Sequence, residues 1–143
     1  MKTELAASFH KEMKAARAAW AHNDLKACFK HLERAHILGQ RNLWSHFLTH
    51  TWMLRVGWRQ RDYHEVFGQI LRLVATLPGA LIGWVPAGNT GGAKVPALKQ
   101  MPLPPEFEAY FAEHSMLRGV LLRLAVISVV IALVVIARWY GWW

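Results

Sequence analysis

Histidine and glutamate recur at helical spacings in the first half of the chain. Glu33 and His36 stand three residues apart and His46 and His50 four apart, so each pair lies on one side of a helix. Carboxylate and imidazole ligands together suit zinc, iron or manganese. Glu12, beside the apolar stripe of an earlier helix, adds a further carboxylate. These five side chains are therefore candidate ligands of a transition metal.

Ordinary hydrogen bonding is the alternative for the same side chains. Such short Glu and His spacings are common by chance, and Glu33 or His36 could pair with Arg34, Arg41 or a backbone carbonyl. Glu-x-x-His is also the inward-facing element of di-iron bundle proteins, which normally carry two copies. Because this sequence has one copy, it favours a single metal ion over a di-iron centre.

No Ser-His-Asp or Cys-His arrangement points to nucleophilic catalysis. The one cysteine, Cys28, stands among apolar residues and is interpreted as core. A single cysteine also excludes an internal disulfide framework and fits a reducing compartment. We name no catalytic residue, and whether the chain is an enzyme stays open, with binding favoured over catalysis.

Apolar residues at three- and four-residue steps predict four helices within residues 1–78, which would position these ligands. Asp62 with Glu65 predicts a capping box at the start of the fourth helix, and Pro78 followed by Gly79 predicts its end. The predicted inward stripes are, helix by helix, Leu5, Phe9, Met13, Ala16 and Trp20; Leu25, Cys28, Phe29, Leu32 and Ala35; Leu43, Phe47, Thr51 and Leu54; and Val66, Phe67, Ile70, Leu73, Val74 and Leu77.

An internal repeat with a spacing of 38 residues relates the two helical hairpins. It aligns Phe9 with Phe47 and Asp24 with Asp62. Repeated helix–turn–helix units are typical of tetratricopeptide-like arrays, although two units fall below the usual three. A compact four-helix bundle is the alternative. Both predict an all-α fold of two helical hairpins, followed by a Pro/Gly-rich loop and one C-terminal transmembrane helix.

The second half of the chain changes character. Residues 79–105 are rich in proline and glycine, including the string GNTGGA at 88–93, and predict an irregular loop packed on the helices. An anion-binding turn is the weaker reading of that string, because it lacks the ending of a P-loop. Residues 106–118 return to helical spacing and predict a juxtamembrane helix.

Residues 119–137 form an apolar run that predicts a transmembrane helix over 119–138. As a helix, these nineteen residues would span about 28 Å, close to the thickness of a bilayer core. Their single charge, Arg123, lies near the entry end, where a long side chain can reach the headgroups. Residues 139–143 form an aromatic tail at the far interface. The predicted anchor residues are Arg123, Arg138, Trp139, Tyr140, Trp142 and Trp143.

Charge and the N-terminus predict which side of the membrane the soluble domain occupies. The chain carries 17 Lys and Arg against 9 Asp and Glu, and its N-terminus has no apolar signal-peptide core. Basic residues favour the cytoplasmic side of a transmembrane helix, so we expect a single-pass protein whose soluble domain lies in the cytoplasm. No DNA- or RNA-binding motif accompanies the charge, so we expect the partner to be the lipid bilayer and not nucleic acid.

The motif strings resemble DUF3703, a bacterial domain of unknown function. The resemblance rests on Phe9-x-x-Glu12-Met13, HLERAHILGQ at 31–40, His46-x-x-x-His50, GWRQRD at 57–62, EVFGQ at 65–69 and GNTGGA at 88–93, and it covers about residues 5–105. It implies a bacterial protein, hence the inner membrane, and no established activity. All five candidate ligands fall on its motif positions.

Three functional hypotheses follow from these observations. The first is a membrane-tethered protein that binds a transition metal through the Glu and His cluster. The second is a tetratricopeptide-like scaffold or accessory subunit of a larger membrane protein complex, without metal. The third is a metal oxidase with a carboxylate–histidine centre.

Overall fold

The computed structural model describes residues 3–83, 85–111 and 116–140. Within these ranges every regular element is helical, which confirms the all-α prediction. The elements are α1 (Thr3–Ala21), α2 (Leu25–Gly39), α3 (Leu43–Gln60), α4 (Tyr63–Ile82), a single 3₁₀ turn (Pro105–Phe107), α5 (Glu108–Phe111) and α6 (Met116–Trp139).

The 38-residue repeat is visible in how α2 and α4 begin. Asp24 Oδ1 accepts a hydrogen bond from the backbone N–H of Ala27 at 2.9 Å, and Asp62 Oδ1 accepts one from Glu65 at 3.0 Å. Each aspartate thereby satisfies an N–H that has no partner within its helix. The residues just before them, Asn23 and Arg61, are both left-handed, with φ of 60° and 59°. The repeat therefore encodes the turn inside each hairpin.

Consecutive helices pack side by side as a bundle, α1 on α2, α2 on α3 and α3 on α4. The apolar core lies mainly between the first three helices, and the predicted stripes of α1 and α2 contribute to it. Trp20, Leu25 and Phe29 are only partly buried at its edge, while Cys28 is fully buried, as its core interpretation predicted. The buried core residues of α1 to α3 are Leu5, Phe9, Met13, Ala16, Cys28, Leu32, Ala35, Ile37, Leu38, Met53 and Val56.

The predicted inward face of α3 is wrong. Leu43 and Phe47 are exposed, whereas Thr49, His50 and Met53 are buried. Thr49 folds its hydroxyl onto the backbone carbonyl of His46 at 2.8 Å, so its polar group is satisfied without solvent. Burial of this face places the histidines inside the bundle.

The predicted inward face of α4 is also largely wrong. Val66 is buried as expected, but Phe67, Ile70, Val74 and Leu77 are exposed. The buried positions on the rest of the helix are polar, namely Glu65, Gln69 and Thr76. Glu65 and Gln69 bond to each other, to α3 and to the following loop, and Thr76 donates to the carbonyl of Arg72 in its own helix. Because their polar groups are satisfied, these residues can replace the apolar stripe inside.

Helix α4 continues through Pro78 and ends at Ile82, not at the predicted proline. Pro78 removes one N–H from the hydrogen-bond ladder, but the helix resumes beyond it and is capped by Gly83, which has a φ of 80°. Residues 85–104 then form the expected irregular loop over α2, α3 and α4. The loop therefore begins four residues later than predicted.

Residues 105–111 join the apolar core of the bundle. Phe107 and Phe111 are buried, and the Tyr110 hydroxyl lies 2.9 Å from that of Ser8 on α1. The expected continuous helix over 106–118 falls partly on residues outside the described ranges.

Helix α6 coincides with the predicted transmembrane segment. Two helices, Tyr63–Ile82 and Gly119–Trp139, are long and apolar enough to cross a membrane, a test of length and composition alone. Of the two, α6 is almost entirely free of contacts with the rest of the described chain, whereas α4 has one face in the bundle. The anchor residues Trp142 and Trp143 lie outside the described residues.

Candidate metal centre

Three histidines converge where the end of α2 meets the first half of α3. His36 comes from α2, and His46 and His50 lie one turn apart on α3. The Nε2 atoms of His36 and His50 are 3.2 Å apart, and those of His50 and His46 are 3.0 Å apart. One ligand nitrogen from each ring lies within 4.8 Å of the others, so the cluster could hold a metal ion.

The tautomer of His36 is fixed by a backbone carbonyl. Its Nδ1 lies 2.8 Å from the carbonyl oxygen of Asn89, a group that can only accept. Nδ1 must therefore carry the proton and donate it. A neutral His36 then presents a bare lone pair at Nε2, toward the other two rings.

The tautomer of His50 is fixed by the side-chain amide of Gln69. The amide N–H groups of Gln69 donate to the carboxylate of Glu65 at 2.6 Å and to the carbonyl of Gly91 at 2.8 Å, and neither acceptor can donate in return. The amide oxygen must therefore face His50 Nδ1, which lies 2.7 Å away and donates to it. His50 Nε2 is thus also a bare lone pair.

Two lone pairs that face each other at 3.2 Å repel unless a cation or a hydrogen-bond donor lies between them. Burial, followed by the adjacent His50 and His46, lowers the pKa of His36 well below its usual value. Burial and then the charge of Arg72 lower the pKa of His46 to about 4, and burial with His46 lowers that of His50 to about 3. The three rings are therefore neutral near pH 7, so a proton does not supply that cation.

A cavity of about 260 Å³ opens beside the three rings. Its wall is mainly apolar and comes from α4 and the loop, with Arg72, Thr76 and Asn89 as polar members. Gln40 also lines it, and its amide oxygen is buried without a hydrogen-bond partner among the described residues. Because an unpaired buried acceptor is costly, this oxygen marks where a donor group would bind.

The loop string GNTGGA closes one side of the cluster. The side chain of Asn89 spans the loop, accepting from the N–H of Gly91 at 2.9 Å and donating to the carbonyls of Pro96 and Lys99. Gly91 lies against His36 with φ of 81°, and a Cβ there would come within 2.7 Å of the ring. The loop therefore packs on the bundle as predicted, and it also orients the histidine.

Glu65 forms only half of the predicted capping box, because the backbone N–H of Asp62 donates to the carbonyl of Gly57 and not to the Glu65 carboxylate. Its backbone N–H donates to Asp62 Oδ1, which caps the helix. Its carboxylate accepts hydrogen bonds from the side chain of Gln69 and, at 3.0 Å, from the backbone N–H of Ala93. It therefore holds the amide that orients His50, and it ties α4 to the loop.

Glu12 does not meet the histidine cluster. Its carboxylate bonds to His31 Nδ1 and to Arg34 Nε, both at 2.8 Å, and Arg34 also pairs with Glu106. Burial raises the pKa of Glu12, but the two hydrogen bonds outweigh it and leave the pKa below its usual value. This network links α1, α2 and the segment before α5.

Glu33 also lies outside the cluster formed by the described residues. Its carboxylate faces Gly92 of the loop, where a Cβ would lie 3.7 Å from Glu33 Oε1. Burial raises the pKa of this carboxyl group above its usual value. Of the five predicted ligands, the structure thus brings His36, His46 and His50 together and leaves Glu12 and Glu33 apart.

Gln40, Gln69 and Asn89 are the site residues that the sequence did not reveal. All three are uncharged amides, which are not typical transition-metal ligands, so residue type alone does not mark them. The available signal was their place in the strings HLERAHILGQ, EVFGQ and GNTGGA, where they accompany the histidines and glycines of the site.

Comparison with known proteins identifies a family but no function. The family model described as a protein of unknown function, DUF3703, matches residues 3–111, which include the three histidines and the loop. No curated protein and no solved structure matches the chain. Because the match covers well over half of the sequence, the chain belongs to the DUF3703 family.

Proposed function

We propose that the chain is a membrane-anchored protein that binds one divalent transition metal ion through the Nε2 atoms of His36, His46 and His50. The observation that carries this proposal is the pair of fixed tautomers. Asn89 and Gln69 accept hydrogen bonds from the Nδ1–H groups of His36 and His50, which leaves the Nε2 lone pairs directed at each other. Metal-binding histidines characteristically donate their second N–H to a carbonyl in this way.

The spacing of the three nitrogens suits zinc. Bonds of about 2.0–2.1 Å in a tetrahedral site place neighbouring nitrogens roughly 3.3 Å apart. The Nε2 atoms of His36 and His46 lie 3.2 and 3.0 Å from that of His50, so two of the three separations are already close to this value, and all three ligand nitrogens lie within 4.8 Å of one another. Manganese prefers carboxylates, and non-haem iron sites usually include one, so the all-imidazole set favours zinc among the three metals considered. For the same reason a carboxylate–histidine oxidase is not our proposal.

Three imidazoles leave a fourth coordination position, and the cavity beside the cluster is where it would open. A water molecule or small ligand bound there could donate to the unpaired amide oxygen of Gln40. The site would then resemble an exchangeable metal centre more than a closed structural one. Helix α6 would hold this centre at the membrane.

Metal content of the full chain tests the proposal. After purification in mild detergent without chelator, loading with zinc and desalting, we expect about one equivalent in the wild type. The variant His50→Ala should lose it, whereas His64→Ala, a change at an exposed histidine of α4, should not. Less than about one-tenth of an equivalent in the wild type would overturn the proposal.

A further inference from the structure

The C-terminal half of α4 presents an apolar surface to its surroundings. Val74 is 72% exposed, Leu77 56% and Leu81 65%. No charged residue occurs between positions 73 and 82. Exposed apolar surface of this extent normally marks a contact with a partner or a membrane.

The beginning of α3 adds two exposed aromatic residues at the same end of the α3–α4 hairpin. Trp44 is 71% exposed and stacks on Phe47, with ring centroids 6.3 Å apart. His46 lines the metal-site cavity together with Thr76, which places the first turns of α3 beside the last turns of α4. Tryptophan is the residue type enriched at the interface between water and acyl chains.

This end of the hairpin is joined to α6. The guanidinium of Arg123 donates to the backbone carbonyls of Ala80 and Leu81, the second at 3.2 Å. These carbonyls lie at the C-terminus of α4, where the helix dipole favours a cation. Arg123 stands one turn inside the apolar run of residues 119–137, so the end of α4 lies at the depth where that run begins.

We propose that an apolar patch formed by Trp44, Phe47, Val74, Leu77 and Leu81 lies in the lipid bilayer interface beside α6. The inference rests on the membrane anchoring in the proposed function and is independent of metal binding. The occupant is lipid because Leu81, at one end of the patch, bonds through its carbonyl to Arg123 of the anchor helix, and because Trp44 adds the residue type that is enriched at the interface. On the other side of the domain, α1 and α2 expose lysines to water.

Lipid contact at this patch would place the metal centre close to the membrane. Ala75, Thr76 and Gly79 on the opposite side of α4 line the cavity beside the three histidines. One helix would therefore separate the metal site from the acyl chains. Ligands that partition into the interface would have the shortest path to the fourth coordination position.

Site-directed spin labelling of the full chain tests this placement. In a Cys28→Ala background, a label would be attached at Val74→Cys, with Lys14→Cys as the water-facing control and Val130→Cys as the control within α6. The protein would be reconstituted in vesicles of phosphatidylcholine and phosphatidylglycerol. Accessibility to oxygen and to a water-soluble nickel chelate would then be compared at the three positions. Unchanged circular dichroism would confirm that each variant is folded.

We expect the oxygen-to-nickel accessibility ratio at position 74 to lie between those of the two controls, clearly above the ratio at position 14 and below the ratio at position 130, as for a side chain in the interface. Nickel accessibility matching that of position 14 would overturn the inference while the anchor stands. Low accessibility to both reagents would also overturn it, since another protein or a second copy would then cover the patch. Nickel accessibility at position 130 would refute the membrane anchor itself.

Discussion

Replacement of Gln69 by leucine should weaken metal binding although Gln69 is not a ligand. Leucine keeps the approximate volume of the side chain. It removes Gln69 Oε1, the acceptor that lies 2.7 Å from His50 Nδ1 in the wild type. It also removes the donor to the carbonyl of Gly91. Without these contacts His50 can carry its proton on Nε2 and donate it to a neighbouring ring. In that tautomer Nε2 has no lone pair left for a metal ion.

The expected loss is about 10- to 100-fold in metal affinity, the usual effect of removing the partner that orients a ligating histidine. This corresponds to roughly 1.4–2.7 kcal/mol. The unpaired Gly91 carbonyl should lower the free energy of unfolding by a further 1–3 kcal/mol, approximately. Glu65 keeps its bond from the N–H of Ala93, so the contact between α4 and the loop is weakened but not lost.

Competition with a chromogenic zinc chelator, on the full chain in mild detergent, measures the affinity. Gln69→Glu keeps an oxygen acceptor for His50 and should retain most of the affinity, although its second oxygen then faces Glu65. Cys28→Ala, a buried change about two turns from His36 along α2, controls for loss of stability alone. If folded Gln69→Leu binds zinc within about twofold of the wild type, the tautomer argument is wrong.

Three further predictions follow. The metal-free protein should lose thermal stability as the pH falls from about 6.5 toward 4. Folding depresses the pKa values of His46 and His50, so in this pH range both rings are neutral in the folded state and take up protons on unfolding. Equal melting temperatures at about pH 7.5 and about pH 5 would contradict this. Gly91→Ala should reduce zinc affinity about tenfold or more in the chelator assay, since the new Cβ would displace His36, whereas Gly119→Ala, which meets nothing within 4 Å, should not. Glu12→Gln should lower the free energy of unfolding by about 1–2 kcal/mol, measured by denaturant titration, and leave the metal content unchanged; a matching loss of zinc would make Glu12 a ligand.

The fold was predictable wherever a helix buries an apolar stripe. In α1 and α2 the periodic apolar residues are those that form the core, and Asp24 and Asp62 mark the helix starts as expected. In α3 and α4 the same reasoning chose the wrong face. The buried face of α3 mixes Thr49 and His50 with the apolar Met53 and Val56, and most buried side chains of α4 are polar. Gln69 and Glu65 of α4 bond to a loop more than 20 residues away in sequence, which local periodicity does not contain.

The candidate site was predictable in part for a related reason. The spacing of His46 and His50 fixes their shared side of α3, and His36 follows from the short α2–α3 connection. Spacing does not fix which neighbour a helix side faces. Arg34, the partner of Glu12, lies on the side of α2 toward α1, roughly 160° around the helix from His36. Glu12 was therefore assigned to a site that α1 does not reach.

X-ray absorption at the metal edge of the zinc-loaded full chain tests the central claim most directly. If His36, His46 and His50 hold the ion, the spectrum should show four light-atom ligands at about 2.0 Å, with multiple scattering from three imidazole rings. A first shell with sulfur, or with fewer than two imidazoles, would contradict the three-histidine centre.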